Sequence, residues 1–291
     1  MLDPSLLQHK DSLLVQICEA RPRSLWVLID PTFCPAGSDR NTDDWLARAC
    51  GYVQPAIPGY EMLPRRNPLW LGLDLSTDAG RELLDETIEY ARLELHPSQL
   101  SQGQGRRVCA WVGARDGAVA AQTMARLLVQ RRTDGHRALL RLYDPAVLWG
   151  IWCSLGGAQH RSWMRACEQW WLLKPDGETM ALHDTMADGD ALETECVAPW
   201  ATLQLTTAQW DDLDAMAPFH AALRDWLSVR GSSDTDVACV RLDDLRDNAL
   251  RAMQAVRRRP GAIDIDDQIA AAFDVFVRGM QPEHAPVSSF T

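Results

Sequence analysis

The chain contains 291 residues, of which 46% are hydrophobic and 24% are charged, a composition typical of globular proteins. Its 29 basic and 40 acidic residues give a formal charge of -11, which argues against a general nucleic-acid binder, because such proteins need a basic face. No stretch approaches the roughly 18 apolar residues of a membrane span, and the first residues lack the basic leader and apolar core of a secretory signal. We therefore expect a cytoplasmic protein without membrane or nucleic-acid partners.

The cysteines are scattered and form no C-x-x-C pair, although zinc sites usually contain one such short spacing. Several lie within apolar runs, which favours buried free thiols in a reducing cytosol over a disulfide framework. We expect neither a metal nor another cofactor. The cysteines are Cys18, Cys34, Cys50, Cys109, Cys153, Cys167, Cys196 and Cys239.

The first half of the chain alternates apolar strands with amphipathic helices. Apolar residues at helical spacing mark the helices, and the strands are continuous apolar runs, as in sheets covered on both faces. This order predicts an α/β lobe in which a mixed or mostly parallel sheet is flanked by helices. The predicted helices cover residues 4–19, 43–49, 78–95 and 118–132, and the predicted strands cover residues 25–29, 69–75, 108–113 and 138–143.

An Asp-Pro pair ends two of these strands, at Asp30-Pro31 and at Asp144-Pro145. Asp144 is predicted to cap a helix whose first position is Pro145, because an aspartate can bond the free amides of the first turn and proline fits that turn. We expect Asp30 to cap a turn in the same way. Two unrelated caps would give the same pattern.

The pattern changes after the second Asp-Pro pair. A short helix is predicted over residues 158–167, and two strands, 170–173 and 179–183, are predicted to form a hairpin. From Thr206 onward only helices follow, and Thr206-x-x-Gln209 matches a capping box. The predicted helices cover residues 206–230, 235–259 and 264–280. The sequence thus divides into an α/β lobe (1–203), an all-α lobe (204–281) and a loose tail (282–291).

The sequence contains no nucleophile elbow, phosphate-binding loop, dinucleotide fingerprint or zinc-protease motif. An acidic stretch is the one candidate for a divalent cation. Its glycine does not fit the ordered spacing of a calcium loop, so we interpret the stretch as a solvated loop, and we predict that the protein is not an enzyme. The acidic residues are Asp184, Asp188, Asp190, Glu193 and Glu195.

Tryptophan is unusually frequent, with 12 residues against 5 phenylalanines and 4 tyrosines. Trp170 and Trp171 are neighbours in a predicted strand, and adjacent strand residues face opposite sides. One of the two therefore faces away from the core that buries the other. That side chain either packs under another part of the chain or faces a partner.

Three segments taken in order resemble the adaptor proteins of bacterial type VI secretion, which are effector chaperones built on a domain of unknown function. The resemblance covers about residues 24–173, and the Tyr-Asp-Pro block with its apolar helix is its most specific part. The matching segments are Ile29-Asp30-Pro31, Tyr60-x-x-Leu63 before Pro68-Leu69-Trp70-Leu71, and Arg141-Leu142-Tyr143-Asp144-Pro145-Ala146-Val147-Leu148.

The resemblance implies a cytoplasmic protein that binds a toxic effector and assists its loading onto the spike-tip protein (VgrG). It implies no catalytic residues, and it gives its matching residues a structural role first; these are Asp30, Pro31, Tyr143, Asp144 and Pro145. An immunity protein that neutralises a toxin is the main alternative, and a metal-dependent hydrolase is a weaker one. We expect the effector at the junction of the two lobes. The candidate effector-binding residues are Arg141, Trp170, Trp171, Trp210 and Trp226.

Overall fold

The structure is a computed structural model, and the chain divides into two compact units, Met1–Trp210 and Asp211–Thr291. Only the backbone is described over residues 39–42 and 224–230 and at residue 183. Within the described part of the chain, every helix is too short or too polar to cross a membrane. The described residues are 13–32, 39–59, 67–95, 106–174, 177–183, 203–230, 246–247 and 250–251.

Helices and strands alternate through the first unit, as the sequence predicts. Over the described ranges seven helices are assigned, and residues 246–247 and 250–251 are also helical. The helices are α1 (13–20), α2 (Asp39–Arg48), α3 (Asp78–Leu93), α4 (Gly117–Leu127), α5 (Pro145–Trp152), α6 (Gly157–Met164) and α7 (Thr207–Arg230). The strands are β1 (Ser24–Ile29), β2 (Gly51–Val53), β3 (Leu69–Leu73), β4 (Val108–Ala114), β5 (Val129–Arg131), β6 (Arg137–Leu139), β7 (Gln169–Leu173) and β8 (Thr179–His183).

Six strands form one sheet in the order β2-β3-β1-β4-β7-β8, and all pairs described are antiparallel. The prediction of helices and a sheet in one lobe is confirmed, but the predicted mixed or mostly parallel strand direction is wrong. Strands β3 and β4 do run parallel to each other across helix α3. Strand β1 lies between them, however, and is antiparallel to both.

The strands are apolar along their whole length because helices pack on both faces of the sheet. The same pattern occurs in parallel sheets, so it does not reveal strand direction. One face carries alternate residues of β1 and β3, such as Val27 and Leu71, which pack with Leu13 of α1, Trp45 of α2 and Ile88 of α3. The opposite face is rich in tryptophan. On that face the ring of Trp170 lies 6.1 Å from that of Trp70 and 5.2 Å from that of Trp163.

Two predicted elements of the first half differ in the structure. The helix predicted over residues 118–132 ends at Leu127, and the strand predicted over residues 138–143 is shortened to Arg137–Leu139. Strand β6 pairs with β5 in a separate two-stranded ribbon and not with the main sheet. The turn at Asp134-Gly135 causes this, because it folds the chain back, with Gly135 at a φ of 87°.

Thr77 caps helix α3 by accepting a hydrogen bond from the amide of Gly80 at 3.1 Å. Two local predictions from the second part of the first unit are confirmed. Strands β7 and β8 form the predicted antiparallel hairpin. Helix α7 begins within the predicted capping box, in which Thr206 and Gln209 exchange hydrogen bonds of 3.0 and 3.3 Å. Most of the predicted helices over 235–259 and 264–280 lies outside the described residues, so an all-α second lobe stays a prediction.

A partly buried carboxylate joins the end of helix α3 to the start of strand β4. Glu94 accepts hydrogen bonds from the amides of Arg107 at 2.6 Å and Val108 at 3.1 Å. Burial raises the pKa of Glu94 to about 7, and the two amide bonds only partly oppose this rise. Because the folded-state pKa exceeds the ordinary value of 4.5, the fold favours the protonated carboxyl group.

The stability that Glu94 contributes should therefore be complete below about pH 4.5 and lost as the pH rises through about 7. Between pH 4.5 and 8, the free energy of unfolding of the wild type should fall by about 2 kcal/mol relative to Glu94→Gln, because one pKa unit corresponds to 1.36 kcal/mol and partial exposure lowers the total. Urea unfolding at several pH values measures this difference. Glu82→Gln, on the exposed side of the same helix, should leave the pH dependence unchanged.

Two glutamine side chains fasten the start of helix α7 to the connection between α5 and α6. The amide group of Gln209 donates to the carbonyl of Ser154 at 2.6 Å and to Gln159 Oε1 at 2.9 Å. In return, Gln159 Nε2 donates to Gln209 Oε1 at 2.8 Å and to the carbonyl of Leu203 at 2.9 Å. Gln209 is buried, so its side-chain amide depends on these protein hydrogen bonds in place of bonds to water.

Replacing Gln209 with glutamate should destabilise the protein by about 2 kcal/mol, because a carboxylate oxygen would face the Ser154 carbonyl and Gln159 Oε1 without a proton to share. Urea unfolding near pH 8 measures the loss. Gln122→Glu on the exposed face of α4 is the matched control and should change stability by less than about 0.5 kcal/mol. Equal stability of the two variants would contradict the role assigned to the Gln209 amide.

Candidate functional site

The first Asp-Pro corner follows strand β1. Asp30 is fully buried, and its Oδ1 accepts hydrogen bonds from the amide and the hydroxyl of Thr32, at 2.9 and 2.6 Å. Its own amide donates to the carbonyl of Arg107 at 2.8 Å. The prediction that Asp30 caps a turn is confirmed. Pro31 follows it, half-buried, in that turn.

The second corner begins helix α5. Asp144 accepts a hydrogen bond from the amide of Ala146 at 3.0 Å, and Pro145 occupies the first turn of the helix. This is the cap that the sequence predicts. The capping oxygen of each aspartate is Oδ1, so the second oxygen of each carboxylate is available for another partner.

Arg141 connects the two corners. Its Nη2 donates to Oδ2 of Asp30, a residue 111 positions away in the sequence, and lies 3.8 Å from Oδ2 of Asp144. The guanidinium carbon also lies 5.6 Å from the centre of the Tyr143 ring. The Arg141 side chain is 35% exposed, whereas Asp30 is fully buried. Four of the residues that carry the resemblance or the predicted site therefore form one cluster, the Asp-Pro cluster (Asp30, Arg141, Tyr143, Asp144).

Burial and neighbouring charges shift the pKa values of three ionisable groups in and beside the cluster, those of Arg141, Tyr143 and Cys109. Burial is the largest influence on Arg141 and opposes its charge, but Asp30, Tyr143 and Asp144 together outweigh burial and raise the pKa of Arg141. Burial, followed by the charge of Asp30, raises the pKa of Tyr143 and that of the neighbouring thiol of Cys109. At neutral pH a charged arginine therefore lies beside a neutral phenol and a neutral thiol. A neutral thiol is a weak nucleophile, and the arrangement suits a structural joint.

The two neighbouring tryptophans of strand β7 lie on opposite faces of the sheet, as strand geometry requires. Trp171 belongs to the core that contains α1, α2 and α3, and Trp170 packs with Trp70 and Trp163 on the other face. Each is 1% exposed. Both side chains therefore pack under other parts of the chain, and neither offers a surface to a partner in this state.

Two further candidate binding residues are Trp210 and Trp226. Trp210 is buried, and the guanidinium of Arg132 lies 4.8 Å from the centre of its ring. The side chain of Trp226 lies outside the described residues, as does the acidic stretch 184–195 that was the candidate cation site. Across the described ranges, no three His, Cys, Asp or Glu side chains group as metal ligands do.

The sequence analysis missed an exposed basic surface on the two-stranded ribbon. Strands β5 and β6 place Arg131 opposite Arg137 and Val129 opposite Leu139. These four residues share one face, which we call the arginine ribbon (Val129, Arg131, Arg137, Leu139). Gln130 points to the opposite side, where it is buried and accepts a bond from the amide of Leu203 at 2.9 Å. The available sequence signal was the alternation of apolar and polar residues on both sides of the Asp134-Gly135 turn. The helix predicted over residues 118–132 included the first of these two strands, so the ribbon was not predicted.

The fold combines helices with an antiparallel six-stranded sheet, and one arginine joins the Asp-Pro corner after β1 to the Asp-Pro corner that begins α5. Residues 68–162 match the family model described as a domain of unknown function (DUF4123). The matched range includes Arg141, Tyr143 and Asp144, whereas their partner Asp30 lies before it. No match was found among curated proteins or among solved structures.

Proposed function

We propose that this protein is a type VI secretion adaptor, which holds a toxic effector and assists its loading onto the spike-tip protein. Two findings support the proposal in combination. The resemblance to such adaptors covers residues 24–173, and the family match at residues 68–162 falls inside that range. The implied role is to bind another polypeptide and not to transform a small molecule.

The observation that carries the proposal is the state of the Asp-Pro cluster. The polar residues that carry the resemblance form hydrogen bonds within the protein. Asp30 and Asp144 cap backbone amides, and Arg141 donates to Asp30. Residues engaged in this way hold a scaffold in shape, which is the role the resemblance gives them. Binding would then fall to exposed surfaces that the scaffold positions.

Purification of the tagged full-length chain from its native cell, followed by mass spectrometry, tests the proposal. We expect a secreted toxin among the co-purified proteins, together with the spike-tip protein where loading is direct. Deletion of the gene should lower the cellular level of that toxin and abolish its export. Normal export of every toxin in the deletion strain would reject an adaptor role.

Co-expression with the captured toxin separates an adaptor from an immunity protein. An immunity protein must block the toxic domain, so it rescues growth, whereas an adaptor raises the amount of toxin without protecting the cell. Full rescue of growth combined with unchanged export would assign the protein to the immunity class.

A further inference from the structure

The arginine ribbon places two like charges directly opposite each other. Arg131 and Arg137 form a paired position across β5 and β6, and both side chains are exposed. Like charges at such positions destabilise a strand pair. Among the described residues, no carboxylate forms an ion pair with either guanidinium. The ribbon therefore keeps a repulsive pair that a single acidic substitution would relieve.

The neighbourhood of the ribbon has the opposite sign to the molecule as a whole. Residues 126–137 contain four arginines and one acidic residue, Asp134, in a protein with a formal charge of -11. Asp134 lies in the turn, and its Oδ2 is 4.0 Å from Nε of Arg132, which is not one of the paired arginines. A local positive surface on an acidic protein attracts and orients an acidic partner, because the remainder of the surface repels it.

The apolar part of the ribbon indicates which acidic partner fits. Val129 and Leu139 are half-buried on the same face as the arginines, two positions along each strand. Residues two apart in an extended chain are separated by about 7 Å. An extended polypeptide that alternates acidic and apolar side chains on one face has this same spacing. A nucleic-acid backbone would use the arginines but leave the two aliphatic side chains without partners.

We infer that the arginine ribbon binds an extended, acidic and partly apolar segment of the protein partner. The inference rests on the proposed function in one respect, because the adaptor role makes that partner the effector. The ribbon would supply two charged contacts and two aliphatic contacts, and the Asp-Pro cluster fixes the segment that connects β6 to α5. Charge contacts at a partly exposed surface act mainly on the rate of association and on specificity.

Binding of short labelled peptides to the full chain tests the surface directly. A peptide that alternates glutamate and leucine should bind, and binding should weaken as salt is raised. The double variant R131E/R137E should bind it at least about tenfold more weakly, and should prefer the matched peptide of lysine and leucine. The control R161E/R165E reverses two exposed arginines on and after α6 and should bind as the wild type does. Equal binding by both double variants would overturn the inference.

The single variant R131E separates binding from folding. It places a negative charge opposite Arg137 and removes the repulsion, so its thermal midpoint should equal or exceed that of the wild type. Its affinity for the glutamate-leucine peptide should nevertheless fall. An oligothymidine probe forms the last arm. Tight binding of this probe with no binding of the acidic peptide would assign the surface to nucleic acid and overturn the inference.

Co-expression with the cognate effector relates the ribbon to the adaptor role. Capture of the effector by the wild type and its loss with R131E/R137E, but not with R161E/R165E, would support both statements. Equal capture by all three would leave the adaptor role intact and overturn the inference. A further outcome is that the wild type binds the peptide, captures no effector, and is dispensable for export in the deletion strain. That result would reject the adaptor role and support the arginine ribbon as a binding surface.

Discussion

Replacing Gly117 with alanine should destabilise the protein by about 3 kcal/mol, because the added methyl group has no space. A Cβ atom at Gly117 would lie 1.9 Å from Cε2 of Trp26, well inside van der Waals contact. The indole cannot move away easily. Its Nε1 donates to Oγ of Ser24 at 2.9 Å, and that hydroxyl donates to the carbonyl of Ala114 at 2.6 Å. Urea unfolding followed by tryptophan fluorescence measures the loss.

Gly157 provides the matched control for this prediction. It occupies the first position of helix α6, as Gly117 does in α4, but the nearest atom to its Cβ would be Arg161 Nη1 at 3.5 Å. Gly157→Ala should change stability by less than about 0.5 kcal/mol, or increase it slightly, because alanine restricts the unfolded chain more than glycine does. In a Trp26→Leu background, Gly117→Ala should cost much less than in the wild type. Additive losses would show that another contact is responsible.

Features fixed by neighbouring residues could be predicted from the sequence. The cap at Asp144, the capping box of Thr206 and Gln209, and the hairpin of β7 and β8 all depend on residues a few positions apart. In each case a side-chain oxygen or a tight turn satisfies the backbone locally. The same local chemistry predicts the turn at Asp30, although not what its second carboxylate oxygen contacts.

Features that depend on distant residues could not be predicted. The position of β1 between β3 and β4 leaves no local mark, because a strand covered on both faces is apolar in either direction. The bond between Asp30 and Arg141 joins residues 111 positions apart. The arginine ribbon was missed for a different reason. Its residues continue a helical pattern from α4, and only the turn at Gly135 converts them into paired strands.

These differences change where a partner is expected to bind. Arg141 and the two tryptophans of β7 were predicted to bind a partner because arginine and tryptophan are common at interfaces. The structure pairs Arg141 with Asp30 and buries both indoles, so these side chains have little free surface in this state, and their binding role stays a prediction. Exposed arginines without described ion pairs are the stronger candidates. Arg131 and Arg137 meet that condition.

Replacing Arg141 with methionine should destabilise the protein by about 3 kcal/mol, because it leaves the carboxylate of Asp30 buried without its charged partner. Methionine keeps most of the length of the side chain, so the effect of lost packing is small. The hydrogen bonds from Thr32 to Oδ1 remain and cannot neutralise the charge. Arg126→Met removes an exposed arginine from the last turn of α4 and should change stability by less than about 0.5 kcal/mol.

A double-mutant cycle with Asp30→Asn distinguishes a structural joint from a binding residue. The neutral amide removes the buried charge, so Arg141→Met should cost at least about 1 kcal/mol less in the Asp30→Asn background than in the wild type. A strict sum of the two single losses would contradict the pairing. Effector capture by the stable double variant then decides the role of Arg141. Retained capture assigns Arg141 to the scaffold alone, whereas lost capture in a folded protein would place its exposed third in contact with the effector.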